Sequence, residues 1–232
     1  MEEDSRGFTI GESIAEAKRC LKCGKPQCRT GCPIENDIPS FNLALSLGNI
    51  GEARSIISQR SNLPAICGRV CPHENQCEGH CILNHKGNPI KIGKLERFIA
   101  DFDAEYKLTK EKLAPKTRGK VAVIGSGPAG LTVAGDLARQ GFTVTVYEGE
   151  SEPGGVLLYG IPEFRLPKEI VRREVQNIAA LGVTFVTNTM VGDDITIDQM
   201  LDEQKFDAVF IGTGTALAKD LNLPGRELPG VL

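Results

Sequence analysis

Apolar residues recur along this chain with two different periods, and the change falls at about residues 113–119. In the first part the spacing is helical. Ile14, Ala17 and Leu21 step by three and four residues into a run of cysteines. The stretch IPSFNLALSLGNIGEARSIISQRS reads as two short helices broken near Gly48, Asn49, Ile50 and Gly51. The clearest helical pattern opens at Asn88-Pro89, with asparagine as N-cap and proline in the first turn. Ile92, Leu95, Ile99, Phe102 and Tyr106 then recur at steps of 3, 4, 3 and 4, which makes one buried stripe. The polar stretch KLTKEKLAPKTRG ends that pattern. From Lys120 the order is apolar strand, glycine turn, helix and second strand, in KVAVIGSGPAGLTVAGDLARQGFTVTVYEGE. A helix pattern at 168–181 precedes the strand candidate GVTFVTN, and FDAVFIGTGT reads as a last strand. The expected fold class is therefore α plus α/β. A small all-α domain occupies 1–112, a linker 113–119, and a Rossmann-like α/β domain 120–232.

Composition narrows the function. A chain of 232 residues can bury a substantial core and is expected to form two domains. Lys and Arg total 27 against 30 Asp and Glu, for a net charge of −3, and no basic run offers a nucleic-acid footprint. The acidic N-terminus, MEEDSRGF, lacks the apolar stretch of a signal peptide, and no apolar run approaches membrane-spanning length. A cytoplasmic protein that binds neither nucleic acid nor membrane is expected.

All eight cysteines lie between residues 20 and 81. The first group is Cys20, Cys23, Cys28 and Cys32-Pro33; the second is Cys67, Cys71-Pro72, Cys77 and Cys81. Nothing signals secretion, and in a reducing cytosol clustered cysteines hold metal or do redox chemistry more often than they form disulfides. Eight thiolates could close two tetrahedral zinc sites, but zinc ribbons favour pairs of C-x-x-C knuckles and only Cys20/Cys23 has that spacing. Iron–sulfur ligation fits better. A tight run supplies three ligands, a distant cysteine the fourth, and the C-P steps at Cys32 and Cys71 match a ferredoxin device in which that cysteine serves another cluster.

Gly125, Gly127 and Gly130 spell G-x-G-x-x-G between strand and helix, with Ser126, Pro128 and Ala129 filling the loop. The first glycine permits the tight turn, the second a close approach to a pyrophosphate, and the third close helix–strand packing. Glu148, at the end of the second strand, is placed for the ribose hydroxyls. The dinucleotide is NAD or FAD on these grounds alone. Gly154-Gly155 and a proline-punctuated segment follow. The later GTGTAL imitates a second fingerprint, but no acid-terminated strand follows it, so it reads as a close backbone approach to the same cofactor.

In order, the two cysteine groups, the fingerprint and GGVLLYGIPEFRLPKEIVRREV resemble the amino-terminal half of the glutamate synthase small-subunit family of flavoproteins, from about residue 12 to 232. That family includes the amino-terminal region of dihydropyrimidine dehydrogenase and the beta subunit of NADH-dependent ferredoxin:NADP+ oxidoreductase, which GGVLLYGIPEFRLPKEIVRREV resembles along with stand-alone glutamate-synthase-like enzymes. The resemblance implies two [4Fe-4S] clusters. One would take Cys20, Cys23, Cys28 and Cys81; the other Cys32, Cys71, Cys77 and the non-cysteine ligand Glu96, leaving Cys67 as a buried thiol. It also identifies the nucleotide as FAD. Gly125 to Gly130 would meet its pyrophosphate and Glu148 its ribose. Gly154, Gly155, Val156 and Arg165 would line the flavin, with Val70 approaching from the cluster domain and Val191 completing the cofactor set.

The implied activity is electron transfer from NAD(P)H through FAD and the clusters to a redox partner subunit in a hetero- or homo-oligomer. That partner would be a glutamate synthase large subunit or a flavin- or ferredoxin-linked alpha subunit. No acid–base or nucleophilic residue is required. In the family the chain continues past LPGRELPGVL into an NAD(P)H domain, so a sequence stopping at Leu232 is expected to be a fragment or one part of a split protein. Two other classes stay open: a cluster-bearing relay subunit without a substrate of its own, and a zinc-stabilised scaffold with a vestigial nucleotide fold.

Overall fold

The computed structural model describes residues 6–109, 113–215, 223–225 and 228–229. The helical part begins with α1 (Ile10–Lys18), opened by a capping box in which the Thr9 hydroxyl accepts from Glu12 N–H while Glu12 reaches back to Thr9 N–H. A short α2 (Gln27–Thr30) sits inside the first cysteine run. The broken pattern resolves into α3 (Ile38–Ser46) and α4 (Ile50–Ser58), with Gly48 at φ +82° in the break. Next comes α5 (Pro64–Val70), a helix the periodicity did not announce, and then two 3-10 turns at His73–Asn75 and Ile82–Lys86.

The long helix α6 spans Ile92–Tyr106 and corrects the expected start at Asn88. Tertiary bonds keep the intervening residues out of the helix: Arg19 donates to the Asn88 carbonyl (2.8 Å), and Lys91 N–H donates to Glu16 (2.9 Å). The tertiary partners win over the local N-cap signal. Ile92, Leu95 and Ile99 of the stripe are fully buried, whereas Tyr106 is exposed and stacks on Phe102.

From residue 120 the sheet forms as the pattern requires. Strands β1 (Lys120–Ile124), β2 (Thr143–Tyr147), β3 (Val183–Val186) and β4 (Ala208–Ile211) are parallel, in the order β3-β2-β1-β4. Helix α7 (Pro128–Arg139) links β1 to β2. A short α8 (Val156–Tyr159) and α9 (Lys168–Ala180) link β2 to β3, and α10 (Ile197–Asp202) links β3 to β4. One sheet face packs on Met200 and Phe206; the other, through Val123, Val144 and Val146, packs on α7 and α9.

That second core does not end at the linker. Leu63, Ala65 and Ile66 around α5, and Ala100 of α6, belong to the same apolar cluster as Val123, Leu131 and Val171. Asn62 donates to Asp136 (2.7 Å) and to the Thr132 carbonyl (3.2 Å) on α7. The helical part is thus docked on the helical layer of the sheet, and α5 runs from that contact towards the second cysteine group. No described helix is long and apolar enough to cross a membrane.

Candidate functional site

Cys20, Cys23, Cys28 and Cys81 line one cavity in the helical part. Cys20 and Cys23 follow α1, Cys28 lies in α2, and Cys81 arrives from the turn before the second 3-10 segment. Burial pushes the Cys28 thiol up to about 11, and the neighbouring Cys81, Cys20 and Cys23 add to the rise. Like charges gathered in a dry site resist ionisation until something positive joins them.

Cys32, Cys71, Cys77 and Glu96 form a second group. Burial pushes the Cys77 thiol up strongly, with Glu96, Glu78 and Cys32 reinforcing it. Glu96 is buried on α6, and burial together with Cys71 moves its carboxyl up to about 8 against the pull of Arg54. Cys67 lies beside the group. Its hydrogen bond with Cys71, then burial, then Glu96 push the Cys67 thiol up, while that same bond pulls Cys71 down. Cys67 therefore gives up its proton less readily than Cys71, the partner to which it donates. The Ser61 hydroxyl in turn points at the Cys67 sulfur (4.0 Å).

All eight cysteines are free, yet among the described residues no three His, Cys, Asp or Glu side chains converge closely enough to hold a single metal ion. Tetrahedral zinc needs four ligand atoms about 2.0–2.3 Å from one point. Sulfurs that share a cavity without meeting at a point suit a larger polynuclear object.

The glycine loop stands at the carboxyl end of β1, between β1 and β4, where the strand order reverses. Gly125 adopts φ +90°, and an added Cβ would lie 2.5 Å from the Gly212 carbonyl oxygen. A Cβ on Gly130 would drive into the Gly125 carbonyl, so helix and strand touch here. Gly127 differs: a Cβ there would meet no atom within 4 Å, leaving open space at the amino end of the twelve-residue α7. Pro128 and Ala129 are exposed beside it. Glu148 accepts from Ser126 N–H (3.0 Å), from the Ser126 hydroxyl and from Glu150 N–H (3.0 Å). Ser126 also accepts from Gly154 N–H (2.9 Å), and Gly155 (φ +50°) lies against Gly127. One buried hydroxyl thus joins the loop, the acid and the glycine pair. The position was in the expected set, but nothing in the spacing announced that joining role.

The remaining expected residues fall on several sides of this cradle. Val156 begins α8 with its side chain exposed, directly after Gly155. Val191 is half-buried on a loop that runs beside Glu148, where Thr189 N–H donates to the Glu148 carbonyl (2.9 Å). Val70, at the end of α5, packs on the shared core. Arg165 is exposed in a turn closed by its own N–H to Pro162, and its charge is felt by His73, next to Cys71-Pro72. The close approach at Gly212 is to Gly125 rather than to open space; residues 216 and 217 of GTGTAL lie outside the described residues.

Two features escaped the sequence. Asp101 of α6 receives Arg69 of α5 (2.6 Å) and Arg173 of α9 (2.8 Å), with Arg97 at 3.6 Å, and so ties three helices together. His73 packs on Gly93, where a Cβ would collide with its ring. Both depend on long-range proximity that no local pattern encodes.

Comparison with known proteins matches these halves to two domain families. Residues 1–108 match dihydropyrimidine dehydrogenase domain II, 4Fe-4S cluster, and residues 119–231 match pyridine nucleotide-disulphide oxidoreductase. The two matches thus join an iron–sulfur cluster domain to an oxidoreductase-type dinucleotide domain in one chain. Glutamate synthase [NADPH] small chain of Escherichia coli is 40% identical over 97% of this chain and 47% of its own length. NAD-dependent dihydropyrimidine dehydrogenase subunit PreT of E. coli is 39% identical over 96% of this chain and 54% of its own. Glutamate synthase [NADPH] small chain of Azospirillum brasilense is 36% identical over 97% and 47%. Along nearly its whole length the chain is thus similar to glutamate synthase small chains and to PreT, and it spans about half the length of these relatives.

Proposed function

We propose that this chain carries electrons between a flavin and two four-iron clusters and hands them to a partner subunit, with NAD(P)H as the source. The observation that carries this reading is the pairing in one chain of two sulfur-rich groups, beside an apolar cluster of the helical part, with an open glycine cradle on the sheet against which that helical part is docked. Cys20, Cys23, Cys28 and Cys81 would hold one cluster; Cys32, Cys71, Cys77 and Glu96 the other. When bound, FAD supplies the exchange between two-electron and one-electron chemistry, and the clusters supply one-electron storage.

The chain's own residues bind, orient and exclude water. Gly127 and the N–H groups opening α7 would receive the pyrophosphate, and Glu148, already fixed by Ser126, would receive the ribose. Val70, Gly155, Val156 and Arg165 would bound the flavin end, and Val191 the adenine end. The apolar residues around the cysteines, such as Ile38, Phe41 and Ile92, keep water from the first group. Eight free thiols suit a reducing cytoplasm. The names of the relatives favour a partner like the glutamate synthase large chain or the second subunit of a dihydropyrimidine dehydrogenase.

Anaerobic purification followed by iron, sulfide, zinc and flavin assays tests the reading. About eight irons, as many labile sulfides and one FAD per chain are expected. Stoichiometric zinc without sulfide would leave the scaffold interpretation instead.

A further inference from the structure

Asn42 lies on α3 one turn beyond Ile38, and both residues line the cavity that holds Cys20, Cys23, Cys28 and Cys81. Its side chain is 0% exposed, and neither its amide nitrogen nor its carbonyl oxygen has a hydrogen-bond partner. The other polar side chains on that wall, Lys25 and Gln27, are exposed and can turn to water. Asn42 cannot. Burying an amide without a partner is costly, and native interiors seldom tolerate it. The apolar residues of that wall, among them Ile38, Pro39, Ile90 and Ile92, offer no side-chain acceptor. The acceptors this site gathers are sulfurs.

We propose that the Asn42 side-chain amide donates a hydrogen bond to a sulfur of the cluster held by Cys20, Cys23, Cys28 and Cys81 and thereby raises that cluster's reduction potential. The inference rests on the assignment of this cysteine group as a cluster site. Reduction adds negative charge that spreads onto the sulfurs, so an N–H donor stabilises the reduced form more than the oxidised one. Asn42 is a positioning and tuning residue; it ligates nothing and takes part in no bond change.

The test is an EPR-monitored redox titration of the anaerobically prepared protein, alongside Asn42→Leu and Asn42→Ser. Leucine keeps the volume and removes the donor. It should lower the potential of the cluster that depends on Cys20, shifting its oxidised-to-reduced ratio at fixed poise by up to tenfold, about 59 mV for one electron. The second cluster should not move. Serine, which retains a hydroxyl donor, should fall between leucine and the unsubstituted protein. Should the variants fail to fold, asparagine-selective nitrogen-15 labelling of the unsubstituted protein gives an independent reading, because pulsed EPR should detect a side-chain nitrogen coupled to that cluster. An unmoved potential in Asn42→Leu, equal shifts in both clusters, or no nitrogen coupling would overturn the role of Asn42. Absence of iron and sulfide from the protein would instead overturn the cluster assignment and this inference together.

Discussion

At the scale of single residues, hydrogen bonds within the chain organise the dinucleotide cradle. Glu148 uses its carboxylate on two backbone N–H groups and the Ser126 hydroxyl, which fixes the acid beside the glycine loop instead of leaving it free in solvent. Such bonds to a charged acceptor are each worth about 1.5–3 kcal/mol, so replacing the acid both loosens the loop and removes the ribose acceptor. Glu148→Gln should weaken FAD binding by roughly tenfold to a hundredfold, as each 1.4 kcal/mol is about tenfold in affinity. Fluorescence titration of the deflavinated protein measures it. Undiminished affinity would mean that the ribose is held elsewhere.

At the scale of elements, the contact between α6 and α9 carries charges that the sequence hides. Glu174 of α9 is buried, and its Oε2 has no hydrogen-bond partner. Burial moves its carboxyl up to about 7 despite the attraction of Arg54 and Arg173. The sign follows from linkage: the folded chain keeps a proton that the unfolded chain has already released. The contribution of Glu174 to stability is therefore greatest below about pH 4.5 and is lost as pH rises through about 7, by an amount on the order of 2–3 kcal/mol. Glu174→Gln should remove that loss. Urea unfolding at pH 5 and pH 8 should show the variant's relative stability growing with pH, and a difference that does not change with pH would refute the assignment. The same elements show what was legible in advance. β1, α7, β2, α9, β3 and β4 carry strong local patterns and form close to where periodicity puts them. The break between α3 and α4 was legible in Gly48 for the same reason. The start of α6 was not, because Arg19 and Glu16, some seventy residues away, decide it. Helix α5 was missed because its residues are buried on nearly every side and show no alternation to read. The cysteines were legible as two runs; their sorting into two groups came from the family resemblance, since spacing alone does not say where a returning chain brings Cys81.

At the scale of the whole molecule, the chain crosses between the two sulfur groups twice. Cys28 and Cys32 are four residues apart, yet Cys28 senses Cys81, Cys20 and Cys23, while Cys32 acts on Cys77. The later run divides in the same way: Cys71 and Cys77 stay with Glu96, and Cys81 returns to the first group. Such crossing binds the two halves of the helical part to each other. It also makes the assignment testable by loss of ligands. Cys32→Ser should abolish the EPR signal of one cluster and spare the signal that Cys20→Ser abolishes, even though the two positions share one run. Cys67→Ser should spare both, because Cys67 donates to Cys71 and a serine hydroxyl can do the same. Spectra of the three variants, reduced with dithionite under argon, decide the matter. Loss of the same signal from Cys32→Ser and Cys20→Ser would place both residues on one cluster. Loss of a signal from Cys67→Ser would move Cys67 into the ligand set, with Glu96 the residue it displaces.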